Sequence, residues 1–156
     1  MTTWQQFTTE QPSFAAEVQA RFEAATHHVL ATLCADGSPR VSGTEVQFGD
    51  IDITVGSMSG ARKARDLLRD PRFALHSNPG DGTASPDGLL DAKLTGRAEE
   101  ITSGPLFDQI QQQDPAAHLF RLELDSVVTV GLTEERDALL IRHWRPESGL
   151  VETHRP

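Results

Sequence analysis

Phe14, Val18 and Phe22 recur at intervals of four, so one apolar stripe runs along a short amphipathic helix, with Ser13 able to cap its start. This helix spans about residues 12–25 and reads as an N-terminal lid. Beyond it the apolar period shortens to that of strands. His28 to Cys34 is a compact apolar strand, Ala35 to Pro39 is a turn by composition, and Arg40 to Phe48 forms the second arm of a hairpin. Gly49-Asp50 turns the chain again, and Ile51, Ile53 and Val55 alternate with Asp52 and Thr54 as in a half-buried strand. Gly56 to Gly60 breaks that strand. Ala61, Ala64, Leu67 and Leu68 then follow at helical spacing until Asp70-Pro71 stops the helix. Arg72 to Ser77 is the next strand, Asn78 to Gly88 a long surface loop, and Leu89 to Ile101 another alternating strand. Gly104-Pro105 opens a helix to about Gln112, His118 to Leu132 alternates again, and Ala138 to Trp144 closes the set before a short tail. The pattern predicts a mainly β (α+β) chain: six to seven antiparallel strands in a split or Greek-key barrel, with about three flanking helices. One domain is expected over residues 1–156, its barrel running from about 26 to 146.

Composition narrows the function classes. With 37% hydrophobic and 24% charged residues, and no run near the ~18 apolar residues of a membrane helix, neither a spanning nor a disordered chain is expected. A formal charge of −9 argues against nucleic acid as a partner, because phosphate neutralisation needs a surplus of Lys and Arg. Anionic ligands must then be met locally. The single Cys34 allows no internal disulfide and no thiolate cluster. Met1 to Gln11 has neither a basic region nor an apolar stretch of the kind that directs secretion, so a cytoplasmic location is expected.

The segment Thr54 to Arg72 carries the clearest chemical signal. Helix first turns favour acidic residues, yet Arg62 and Lys63 follow closely on Ser59, which the spacing places at the cap. Free N–H groups around Ser57 to Ala61, small residues and two cations describe a site for phosphate or carboxylate. In the alternative reading, Arg62, Arg65 and Arg69 form a solvated face paired with Asp66 and Asp70. Other candidates carry less. His27 and His28 point to opposite faces of a strand and cannot chelate one metal together, and no metal site is expected. Ser42, Ser57 and Ser59 lie in no nucleophile-elbow motif, and Glu99-Glu100 reads as an exposed strand end. Trp144, two residues after Arg142, is either a core aromatic or a stacking partner for a flat ring.

Ala35-Asp36-Gly37-Ser38-Pro39 before a strand, Gly56 to Lys63 before a helix, and Arg69-Asp70-Pro71-Arg72 into a strand occur in that order. This succession resembles the pyridoxamine 5′-phosphate oxidase-like flavin-binding split barrels over about residues 26–146. The resemblance implies a homodimer with a flavin-type cofactor, FMN or F420, at the subunit interface. It implies that Arg62 and Lys63 grip the cofactor phosphate, with Ser57 and Met58 ending the strand beside it. Thr44, Glu45 and Val46 would lie along the flavin ring, and Arg142 and Trp144 would come from the last strand, supplied by the partner chain. Arg65 and Arg69 would meet the longer anionic tail of F420, a cofactor of actinobacterial branches with a similar Lys-x-Arg spacing.

The departures from the pattern matter equally. Ser42 stands where the true oxidases carry a phosphate-binding Arg, and Gln47 where they carry a Lys for pyridoxal phosphate. The ending Trp144 to Pro156 lacks their Arg-Leu-x-x-x-Arg signature, so vitamin B6 oxidation is not expected. Three readings follow. The first is a dimeric FMN- or F420-dependent oxidoreductase that passes a hydride to or from a small organic substrate, with no catalytic side chain required. The second is a non-catalytic flavin-binding or stress-associated module. The third is a ligand-free structural protein.

Overall fold

The computed structural model describes residues 1–156, in the element order α1 (Trp4–Glu10), α2 (Pro12–Glu23), β1 (His28–Leu33), β2 (Pro39–Thr44), β3 (Gln47–Phe48), β4 (Ile53–Ser57), α3 (Arg62–Arg69), β5 (Arg72–His76), β6 (Leu89–Glu100), α4 (Pro105–Gln113), β7 (His118–Leu132), β8 (Leu139–Arg145) and β9 (Gly149–Arg155). Nine strands and four helices thus replace the expected six to seven and about three.

The additions have physical causes. Trp4 and Phe7 are the only large apolar residues of α1, but at a spacing of three they share one helix face, and both are buried. A capping box between Thr3 and Gln6 starts α1, and Pro12 follows at the first position of α2, where its missing N–H costs nothing. Gln11, not Ser13, is therefore the cap residue of α2. At the other end the expected tail pairs as β9 along the whole of β8, around a turn with Gly149 at φ 67°. The expected strand from Arg40 to Phe48 is interrupted, with β2 pairing β1 and β3 pairing β4.

All pairings are antiparallel, in the order β2-β1-β5-β6-β7-β4-β3, with β8 and β9 continuing from β7. The 15-residue β7 is shared: His118 to Leu122 pairs β4, and Val127 to Leu132 pairs β8. β2 comes alongside β4 without pairing, so the barrel is split rather than closed. Alternation sends Leu30, Ile53, Val55, Leu94, Phe120, Leu122 and Leu124 inward, where α1 and α2 add Trp4, Phe7, Phe14, Val18 and Phe22. Where β6 bulges against β7, a Cβ at Gly96 would lie 1.8 Å from the Glu123 carbonyl oxygen, so only glycine fits. No helix is long and apolar enough to cross a membrane.

Candidate functional site

β4 ends at Ser57, and Met58 to Ala61 turn the chain into α3. The first-turn N–H groups of a helix have no intrahelical acceptors, and α3 has neither a side-chain cap nor an acidic residue in that turn. Ala61 occupies the cap position that the sequence assigns to Ser59. Arg62 opens the helix, exposed and without an ion pair. Lys63 follows half-buried, its Nζ donating to the Gly43 carbonyl at 3.1 Å, and burial lowers its ammonium below the ordinary lysine value. Ser57 is 6% exposed, and its Oγ has no hydrogen-bond partner. A buried hydroxyl left unpaired costs free energy, which a ligand oxygen would recover. An unpaired hydroxyl, an unpaired guanidinium and an uncapped helix start thus fall within six residues of chain.

The two readings of the Arg-rich helix can now be separated. Asp66 is buried and accepts from Arg40 Nε at 2.7 Å, Thr32 Oγ1 at 2.8 Å and Arg69 Nη2 at 2.9 Å. Asp70 binds Arg72 instead of a helical neighbour, with its carboxyl drawn down to about 2 by hydrogen bonds from Arg72. Pairing at helical spacing therefore accounts for Arg69 alone. Arg62 and Arg65 remain without carboxylate partners.

Thr44 ends β2 buried, its hydroxyl donating to the Glu45 carbonyl at 3.1 Å. Glu45 is exposed and lies 3.5 Å from His27 Nε2, while Val46 packs partly against the core. Because Lys63 binds Gly43, this β2–β3 connection adjoins the start of α3. Met58 projects outward and is 78% exposed.

Arg142 and Trp144 lie elsewhere. Ser57 opposes His118 on β7, whereas Arg142 opposes Thr129, eleven residues further along, a rise of about 36 Å for an extended strand. Trp144 is fully buried, packs edge-on to Phe7 and donates Nε1–H to Glu10 at 3.0 Å. Within one chain the structure supports the core reading of Trp144. Arg142 is held by Glu17 at 2.6 Å and Glu152 at 3.0 Å, so its charge is already met within the chain.

The register also creates a neighbourhood that residue-by-residue reading missed. His118, opposite Ser57, lies with Nδ1 2.7 Å from Glu100 Oε1, and its ring stacks on Phe120. Glu100, expected to be an exposed strand end, thus fixes an imidazole beside the unpaired hydroxyl of Ser57. The available signal was strand parity: Glu100 pairs Phe120 across β6 and β7, which puts it on the same face as His118. A carboxylate is present as well, since Asp114, at the end of α4, accepts the Ser59 N–H at 2.9 Å.

The pyridoxamine 5′-phosphate oxidase family matches residues 14–131, most of the chain. The protein belongs to this family. Among solved structures it is similar to PhzG from Burkholderia lata, in complex with tetrahydrophenazine-1-carboxylic acid, with 14% identity, a TM-score of 0.63 and coverage of 96% of this chain and 92% of that one. A pyridoxamine 5′-phosphate oxidase-related, FMN-binding protein from Nostoc punctiforme gives 12%, 0.61, 94% and 96%. The heme storage protein HutZ from Vibrio cholerae gives 19%, 0.56, 74% and 89%. These structural likenesses show the split-barrel fold that the sequence pattern predicted. No curated protein sequence matches the chain.

Proposed function

We propose that the protein is a flavin-dependent oxidoreductase that holds FMN by its phosphate at the start of α3. The carrying observation is the buried Oγ of Ser57, unpaired beside the uncapped first turn of α3 and the free Arg62. These groups fit a phosphate: a hydroxyl and backbone N–H groups donate, and a guanidinium compensates charge. Lys63 holds β2 to α3 through Gly43 and places a second cation there. Thr44, Glu45 and Val46 border the same end and would lie along the ring. FMN, when bound, supplies the hydride chemistry, so the chain has to position it and shield it from water. His118, fixed by Glu100, presents an imidazole to this region.

F420 is the second cofactor to be tested. Of the two arginines assigned to its longer tail, Arg69 is committed to Asp66 and the Leu33 carbonyl, leaving Arg65. This favours FMN. Family membership and the FMN-binding relative from Nostoc support the cofactor class. A homodimer accompanies the reading, with exposed Val29 and Val41 on β1 and β2 offering an apolar face.

The test is fluorescence titration of cofactor-free protein with FMN and F420 in parallel, repeated on Arg62→Ala/Lys63→Ala and on Ser57→Ala. Wild type should bind FMN more tightly than F420, and the double variant should lose at least about tenfold in affinity. Unchanged FMN binding in the double variant would remove the phosphate assignment. A bound flavin that no reductant or acceptor turns over would favour the non-catalytic module, and sedimentation as a monomer would remove the interface.

A further inference from the structure

We propose a second ligand site, for a small organic carboxylate with an apolar body, in the cleft between the start of α4 and the outer face of β4 and β7. The cleft has a volume of about 440 Å³, within the usual range for small-molecule sites. It exists because α4 is held off the sheet. Leu106, Phe107 and Ile110 give α4 an apolar side, yet none of its residues is buried. Towards its far end the helix closes on the sheet, where a Cβ at Gly56 would lie 3.8 Å from Ile110 Cδ1. Under its first turn a cleft remains between helix and sheet.

The floor is built for an anion. Thr54 and Leu119 line it, and Thr54 is 8% exposed with no side-chain hydrogen bond. Directly opposite Thr54 on β7 stands Arg121, whose Nε is buried without a partner. Asp52 lies 3.9 Å from its Nη1, beyond hydrogen-bond reach, and Glu99 faces it across β6 without an ion pair. Gly104 to Phe107 bring the start of α4, which has no side-chain cap, to the same cleft, with Asp108 in its first turn offsetting part of the positive helix end. Ile101, Leu106, Phe107 and Leu119 supply apolar walls, which select an organic acid over inorganic phosphate. Asp50 and Asp52 at the rim oppose an anion, and that opposition gives the test a sign.

This site differs from the phosphate cradle. Thr54 and Ser57 are three residues apart on β4, about 10 Å, and alternate to opposite faces of the strand. Binding to the protein without added cofactor therefore probes it separately from the flavin reading.

The experiment follows backbone amide resonances of the cofactor-free protein during titration with benzoate, with benzylamine and inorganic phosphate as controls. Benzoate should saturate shifts at Thr54, Leu119 and Phe107, and neither control should do so. Arg121→Met should weaken benzoate about tenfold. Thr54→Val should weaken it several-fold, and Asp52→Asn, which removes a competing charge, should tighten it. Absence of benzoate binding, or unaltered affinity in Arg121→Met with the fold intact, would overturn the site. If Arg121→Met does not fold, Thr54→Val and Asp52→Asn decide: weaker binding in Asp52→Asn, or unchanged binding in Thr54→Val, would sink the proposal.

Discussion

Asp114 reaches back from the end of α4 to accept the Ser59 N–H at 2.9 Å, so the turn before α3 already carries a carboxylate. That hydrogen bond holds the Asp114 carboxyl below its ordinary value. An incoming phosphate must therefore bind against a resident negative charge.

Asp114→Asn keeps an oxygen acceptor for Ser59 and removes the charge. FMN should bind about two- to fivefold more tightly at low salt, with the gain fading at high salt as the exposed charge is screened. Titrations at two ionic strengths measure both. Weaker binding in the variant would mean that Asp114 shapes the turn instead of opposing the ligand.

Asp66 ties α3 to β1 and β2 through Thr32, Arg40 and Arg69. Burial alone would raise its carboxyl, but the hydrogen bonds from Arg40, Thr32 and Arg69 outweigh burial and hold it below the ordinary value. Asp66→Ala strands Arg40 and should cost about 3 kcal/mol in urea unfolding. Because the folded value is the lower one, this contribution is present above about pH 4 and is lost as the pH falls through the folded value. Stability curves of wild type and variant should converge in acid. A constant gap down to the lowest accessible pH would refute the linkage.

His28 is buried beneath Phe22, and its Nδ1 accepts the Asn78 N–H at 2.9 Å. Burial lowers its basicity, so the neutral ring is the folded form, and stability should fall as the pH drops below about 6.5. A protonated Nδ1 cannot accept. The Asn78 amide should therefore lose hydrogen-exchange protection as the pH falls below about 6.5, with the loop that follows it, and His28→Gln should abolish that pH dependence. Protection that stays constant across the range in wild type would remove His28 as the anchor of the loop.

How much of this was legible in the sequence depended on whether the signal was local. Alternation located β4, β6 and β7, and the misplaced cations of Arg62 and Lys63 drew attention to the start of α3, because both are properties of short segments. Trp4 and Phe7 were hidden in a polar stretch, since two residues make no visible period and their burial depends on a distant barrel. Asp66 read as half of a surface pair because nothing in the helix foretells that Arg40 and Thr32, more than twenty residues away, converge on it. Ser57 and Glu100 are likewise read singly in the sequence, and His118 only as the start of a strand. Their proximity is a consequence of register, which no single strand encodes.

The shared strand β7 also sets the order in which the barrel can be assembled. Until residues 118–132 are placed β4 pairs only the two-residue β3 and β8 only β9, and β4 must wait for β7 across some sixty intervening residues. Such distant pairings have a high closure entropy before any contact repays it, so folding should be slow for a chain of this length. During synthesis the half-built sheet would expose the apolar flanks of β4 and β6 until β7 arrives. The cradle at Ser57 is accordingly completed late, when the last shared strand docks.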